Sequence, residues 1–133
     1  MNKKVFGKKL SRERSSREAL FVGLVSNLVL NKKIETTKAK AKAVIGMIDK
    51  MVILAKKDTL SSKRELLRKL KGNKDVATLL WKEIAGVFTD RNSGFTKMVN
   101  LPQRKGDLSE MVRLEWVKDV VKKDEKNIST KKK

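Results

Sequence analysis

The sequence has no cysteine, no histidine and no tyrosine, a single proline, and only four phenylalanines and two tryptophans. Without cysteine there is no disulfide, no thiol nucleophile and no thiolate metal site. Without histidine the commonest general base and the usual zinc ligand are missing as well. So few aromatics give little support to a platform that stacks the bases of single strands. Phe6, amid lysines, and Phe95, after Gly94, are the two that could touch a base, with local packing the expected role of Phe95. Long apolar runs are also lacking. The longest, "ALFVGLVSNLVL" at 19–30, follows basic residues as a signal-peptide core would, but Ser26 and Asn27 interrupt it and no small-residue cleavage site follows. It falls short of the roughly 20 apolar residues that span a bilayer, so it is expected to be a buried helix.

Acidic residues are scarce too: 15 Asp and Glu against 34 Lys and Arg leave a net charge of +19 on 133 residues. Such a charge repels itself unless a polyanion neutralises it, which points to nucleic acid or an anionic membrane. The length suits one domain with one core. Apolar residues make up 39% and charged residues 37%, and the apolar ones recur periodically, so the chain is expected to fold. Their stripes look matched to one another rather than to lipid, which favours nucleic acid over a membrane surface.

Residues 1–14 carry Lys3, Lys4, Lys8, Lys9, Arg12 and Arg14 against Glu13 alone and read as a basic arm. Ser15 and Glu18 have capping-box spacing, and Leu20, Phe21, Leu24, Val25 and Leu28 then recur on one helical face, so a first helix is expected to end near Leu30. "KIETT" reads as a short strand leading into a second helix capped by Thr36 or Thr37, with a stripe from Ala41 to Ala55. Ser62 and Glu65 repeat the box before Leu66, Leu67 and Leu70, and Gly72-Asn73 is a left-handed stop. Val76, Leu80, Ile84 and Phe88 mark a fourth helix that "TDRNSG" ends. Phe95, Val99 and Leu101 alternate with polar residues, as do Val112, Leu114 and Trp116, which predicts two strands facing one core. The fold class is therefore α+β, a two-layer α/β domain in the order α-β-α-α-α-β-β, with an arm at 1–14, the domain at 15–118 and a lysine-rich tail at 119–133. Leu24, Leu28, Ile48, Val52, Leu80 and Ile84 are expected to be mutually buried.

Catalytic signatures are missing. "GKKLS" at Gly7 lacks phosphate-loop spacing and no strand precedes it. Asp49, Asp90, Asp107 and Glu110 read as helix-face or turn residues, and no serine has a histidine to activate it. Basic residues instead cluster in the arm, at Lys32–Lys42, at Lys56–Lys74 and at Arg91–Lys105. Any one cluster is most simply a solvated surface, and Lys63, Arg64, Arg68, Lys69 and Lys71 taken alone are read that way. All four exceed what solubility requires, and cations that neutralise phosphates gain affinity by counterion release. "KIETTKAKAKA" is instructive, because lysines in a first turn oppose the helix dipole. A phosphate bound at the Thr36-Thr37 helix start would reverse that penalty, with Lys38 and Lys42 on one side and Lys40 on another.

The motifs "GKKLSRERSSRE", "IETTKAKAKAV", "MVILAK", "SGFTKMVNLPQRKGD" and "MVRLEWV", in this order from about Gly7 to Val117, resemble the bacterial large-subunit ribosomal protein L seventeen family. The resemblance implies a small sheet packed by helices, and a structural, non-catalytic protein bound to large-subunit ribosomal RNA near the peptide exit tunnel. Its partners would be that RNA and neighbouring large-subunit proteins, in the cytoplasm, with no membrane, cofactor, metal or small-molecule substrate. The family's basic N-terminal segment, Thr-Thr helix start and glycine-aromatic-threonine-basic stretch fall on Lys3 to Arg17, on Thr36 and Thr37, and on Gly94 to Lys97. This chain departs from the family pattern at Arg17, Glu18, Ile45, Gly46, Ser93 and Phe95. With the basic clusters, the RNA-binding candidates are Lys3, Lys4, Lys8, Lys9, Arg12, Arg14, Arg17, Thr36, Thr37, Lys38, Lys40, Lys42, Arg91, Lys97, Arg104 and Lys105. Charge alone leaves a nucleoid-type, non-specific DNA-binding protein as the alternative.

Overall fold

In the computed structural model, which describes residues 8–120, the apolar stripes fold into helices that cover one face of a small sheet. Helix α1 (Arg14–Asn31) buries Val25, Leu28 and Val29 and ends on Lys32, whose left-handed backbone lets its N–H reach the Leu28 carbonyl. The capping box expected at Ser15 does not form. The helix starts at Arg14 with Glu13 as an N-cap that makes no side-chain hydrogen bond. Ser15 is thus already inside the first turn, and Glu18 is drawn to Arg14 one turn back at 3.1 Å.

Strand β1 (Lys33–Thr37) passes directly into α2 (Lys38–Lys57), which buries Ala41, Val44, Ile48, Met51, Val52 and Ala55. Helix α3 (Leu60–Lys69) begins one turn before the expected Ser62–Glu65 box. Thr59 is its N-cap, accepting from the Ser62 N–H at 3.2 Å and bonding the Ser62 hydroxyl at 2.7 Å. With its hydroxyl turned back to Thr59, Ser62 is buried. The helix closes in a Schellman pattern, in which the Gly72 N–H reaches the Leu67 carbonyl and the Lys71 N–H reaches Arg68. Lys71 and Gly72 supply the positive φ, at 53° and 83°. Asn73, expected to share that stop, instead caps the next helix by accepting from the Val76 N–H at 3.3 Å.

The fourth helix runs as α4 (Lys74–Leu79), a π-helical turn (Leu80–Ile84) and a short α5 (Ala85–Val87). The wider turn, closed by the Ala85 N–H on the Leu80 carbonyl, keeps Leu80 and Ile84 both buried. Of the six residues expected in the core, five are buried; Leu24 is half-buried and packs against the core from its margin. Val25 and Val29 take the inward line on α1 instead.

Strands β2 (Thr96–Leu101) and β3 (Met111–Trp116) complete an antiparallel sheet in the order β1-β3-β2. Val112, Leu114 and Trp116 are buried against the helices, as expected. Cross-strand partners share a face, so the register puts Thr96, Met98 and Asn100 on that side, opposite Trp116, Leu114 and Val112. Val99 and Leu101 lie on the outer face, opposite Arg113 and Met111, contrary to the expectation that they meet the core. The cause is Phe95. It stands before the strand, next to Gly94 at φ +66°, and is inserted into the core with its ring 5.3 Å from Phe88, which is 5.8 Å from Trp116. Phe95 and Val99 share a parity but not a face. Val120 also packs into the core cluster, beyond the expected domain end at 118.

Candidate nucleic-acid interface

The arm's first residues, with Lys3, Lys4 and Phe6, and the tail from residue 121 lie outside the described residues. From Lys8 the chain makes a turn in which Leu10 and Ser11 have positive φ and the Arg12 N–H returns to the Lys9 carbonyl at 3.1 Å. The Arg12 guanidinium donates to the Leu10 carbonyl at 3.0 Å. Lys8, Lys9, Arg12 and Arg14 are exposed, and Arg17 on the second turn of α1 is half-buried. Arg14 is held by Glu18.

A second group forms where β1 turns into α2. Thr36 sits on the helix-covered face opposite Val112 and is buried, at 8% of its full exposure. Thr37 lies on the outer face and is the N-cap of α2, yet its hydroxyl makes no capping bond. The Lys38 N–H, which a helix start would leave unpaired, donates to the Glu110 carbonyl at 3.0 Å. Its ammonium also lies 3.5 Å from the Glu110 carboxylate. Lys38 is thereby tied to β3, whereas Lys40 and Lys42 have no carboxylate partner among the described residues.

The loop between β2 and β3 leaves the sheet at this same end. Its Arg104 guanidinium grips Asp107 with two bonds, 3.2 Å and 2.6 Å long. Hydrogen bonds from Arg104 first, and then from Ser109, hold the Asp107 carboxyl well below the usual carboxylate range. The same pairing raises the Arg104 guanidinium further. Lys105 is exposed at the loop tip.

Lys97 stands elsewhere. In the register Thr37, Met111 and Leu101 form one row and Lys33, Glu115 and Lys97 another, four residues along, or roughly 13 Å at strand rise. Lys97 pairs with Glu115 at 3.1 Å. Arg91, half-buried after the fourth helix, has its carbonyl taken by the Lys56 ammonium. The candidate residues therefore make three stations around the domain: the arm with the start of α1, the α2 start with the β2–β3 loop, and the opposite end of the sheet.

Four candidates, Arg14, Lys38, Lys97 and Arg104, have carboxylate partners. These are largely exposed pairs, which contribute only about 0–1 kcal/mol each, so a phosphate can compete for the same cations. Lys8, Lys9, Arg12, Arg17, Lys40, Lys42, Arg91 and Lys105 have no carboxylate partner among the described residues. The candidates omit Lys33, although it lies within the Lys32–Lys42 cluster. It shares the outer face with Lys97 only because β3 lies between β1 and β2, and nothing local in the sequence announces that order. Among the described residues no group of acidic side chains could hold a metal ion, and no helix is long and apolar enough to cross a membrane. What the surface can do chemically is neutralise phosphates from several sides of a rigid core.

Comparison with known proteins gives the family of the chain. The family model described as Ribosomal protein L17 matches residues 20–117. The chain is 44% identical over 118 residues to the large ribosomal subunit protein bL17 of Sulfurihydrogenibium sp., a match covering 88% of this chain and 97% of that protein. It is 42% identical to the protein of the same name from Persephonella marina, covering 88% and 95%. With that of Finegoldia magna it shares 43% over 117 residues, covering 88% of each chain.

Proposed function

Since the chain belongs to the ribosomal protein L17 family, we propose that it is a structural constituent of the large ribosomal subunit whose basic surface binds and stabilises folded large-subunit ribosomal RNA near the peptide exit tunnel. The observation that carries the RNA-binding reading is the placement of carboxylate-free cations on separate sides of the domain: Lys8, Lys9 and Arg12 before α1, Lys40 and Lys42 on α2, and Lys105 on the β2–β3 loop. A straight duplex presents one side to a small domain. Cations on several sides suit folded RNA, whose segments converge from different directions. The position near the tunnel, and the neighbouring large-subunit proteins as partners, rest on the family alone.

Affinity is expected to come from counterion release and therefore to fall steeply with salt. Specificity would come from the shape of the RNA, since few aromatic or amide side chains are available to read bases. The test compares binding of a structured large-subunit RNA fragment and of duplex DNA of equal length at matched salt. Tighter binding to the RNA is expected. Equal or tighter binding to the DNA would overturn the reading in favour of a nucleoid-type protein.

A further inference from the structure

Helices α1, α2 and α3 leave a groove of about 520 Å³ between them, within the roughly 300–1,000 Å³ of small-molecule clefts. Its apolar wall is Phe21, Val22 and Met47, all half-buried. Phe21 belongs to the stripe that the sequence assigns to the core, yet it packs only at the margin of the core cluster and lines the groove. Lys50, Arg68 and Lys71 line it as well, and among the described residues none of the three has a carboxylate partner. Arg14 and Lys69 add two more cations, each in an exposed one-turn ion pair, with Glu18 and Glu65. Glu18 is the single acidic residue of the groove lining. Read from the sequence alone, Arg68, Lys69 and Lys71 make a solvated face; the fold places them around the same groove as an aromatic ring and a thioether.

An apolar wall among cations selects an occupant that is flat and apolar at one end and anionic at the other. We propose that this groove receives one unstacked nucleotide of the bound RNA, its base against Phe21 and Met47 and its phosphates on Lys50, Arg68 and Lys71. The proposal rests on the RNA-binding reading above and deepens it. A paired base could not enter, because its faces are covered by its neighbours in the stack; a bulged or loop nucleotide can, and a base stacked on an aromatic ring gains affinity with little regard to its identity. A polyanion without bases would engage the cations but leave the apolar wall unused.

The test uses the full chain and two hairpin RNAs that differ by a single unpaired uridine. The unsubstituted protein is expected to bind the bulged hairpin roughly tenfold or more tighter than the paired one. Phe21→Leu, which keeps an apolar side chain at the core margin, should remove most of that preference while retaining affinity for the paired hairpin. Lys50→Gln with Arg68→Gln and Lys71→Gln should weaken both and flatten the salt dependence. With 5-iodouridine at the bulge, photocrosslinking of the unsubstituted protein should map to Phe21 or Met47, a readout independent of how any variant folds. Steep, salt-dependent binding of both hairpins without preference for the bulge, or crosslinks mapping elsewhere, would overturn the groove assignment and leave the RNA-binding reading standing. No salt-dependent binding of either hairpin would overturn both. A groove that binds an oligoglutamate peptide and ignores the bulge would belong to an acidic protein segment instead.

Discussion

Lys38 is bound twice to Glu110, by its backbone N–H to the Glu110 carbonyl at 3.0 Å and by its ammonium to the carboxylate at 3.5 Å. The first contact carries the β1–β3 pairing one residue past Thr37 and fixes where α2 can begin. The second offsets the repulsion that a lysine at N1 feels from the helix dipole. Lys40 and Lys42 receive no such compensation, and under the RNA-binding reading a phosphate supplies it.

The consequence is a ranking of variants. Lys40→Gln and Lys42→Gln should each flatten the plot of log affinity against log salt by up to one phosphate, a slope change of about 0.7–0.9, and leave thermal stability unchanged or slightly raised. Lys38→Gln should change the slope less, and Glu110→Gln, which releases the Lys38 ammonium, should steepen it. Equal slopes for all four variants and the unsubstituted protein would show these lysines to be merely solvated.

The core makes a second prediction. Leu80→Ala removes a fully buried side chain from the π-helical turn and should cost about 2–5 kcal/mol. Leu24→Ala, at the half-exposed margin of the same core, should cost distinctly less. Denaturant unfolding of the two variants measures the difference, and equal losses would mean that α1 presents another line of residues to the core.

Much of this fold is legible in the sequence because its apolar residues keep helical spacing through Val44, Ile48 and Val52 and through Val76, Leu80 and Ile84. What is not legible depends on competition between near-equivalent local choices. Both Thr59 and Ser62 can cap a helix, and the choice falls to Thr59, whose hydroxyl takes the Ser62 N–H and bonds the buried Ser62 hydroxyl. Alternation cannot reveal that Phe95 leaves the strand's pleat beside Gly94, so parity with Phe95 wrongly turns Val99 and Leu101 toward the core. The basic candidates can be found by charge. Their partners cannot, since Glu110 for Lys38 and Glu115 for Lys97 are set by strand register.

Capping offers a direct check on the first of these choices. Thr59→Ala and Asn73→Ala each remove a side-chain acceptor from a helix N-terminus and should destabilise the protein by about 0.5–2 kcal/mol. Glu65→Ala should have little effect, as it forms no capping box. A large loss at Glu65 with none at Thr59 would restore the later helix start.

The β2–β3 loop carries a pH signature. Because the Asp107 carboxyl lies below its ordinary range when folded, its pairing with Arg104 supports the loop above the unfolded value of about 3.9. That support is lost as the pH falls from there through the lower folded value. Carboxyl carbon NMR should show Asp107 still charged at the pH of about 3.9 where a free aspartate is half-titrated, and Arg104→Gln should return it toward that value. An Asp107 that titrates at the free value in the unsubstituted protein would mean that the pair is not formed.

Sedimentation shows whether this basic domain is a constituent of the large ribosomal subunit. Extracts of the native host are separated on sucrose gradients under conditions that split ribosomes into subunits, and the protein is followed with an antibody. It is expected to travel with the large subunit and to be released only at high salt. Recovery at the top of the gradient at low salt, or with chromosomal DNA, would contradict this.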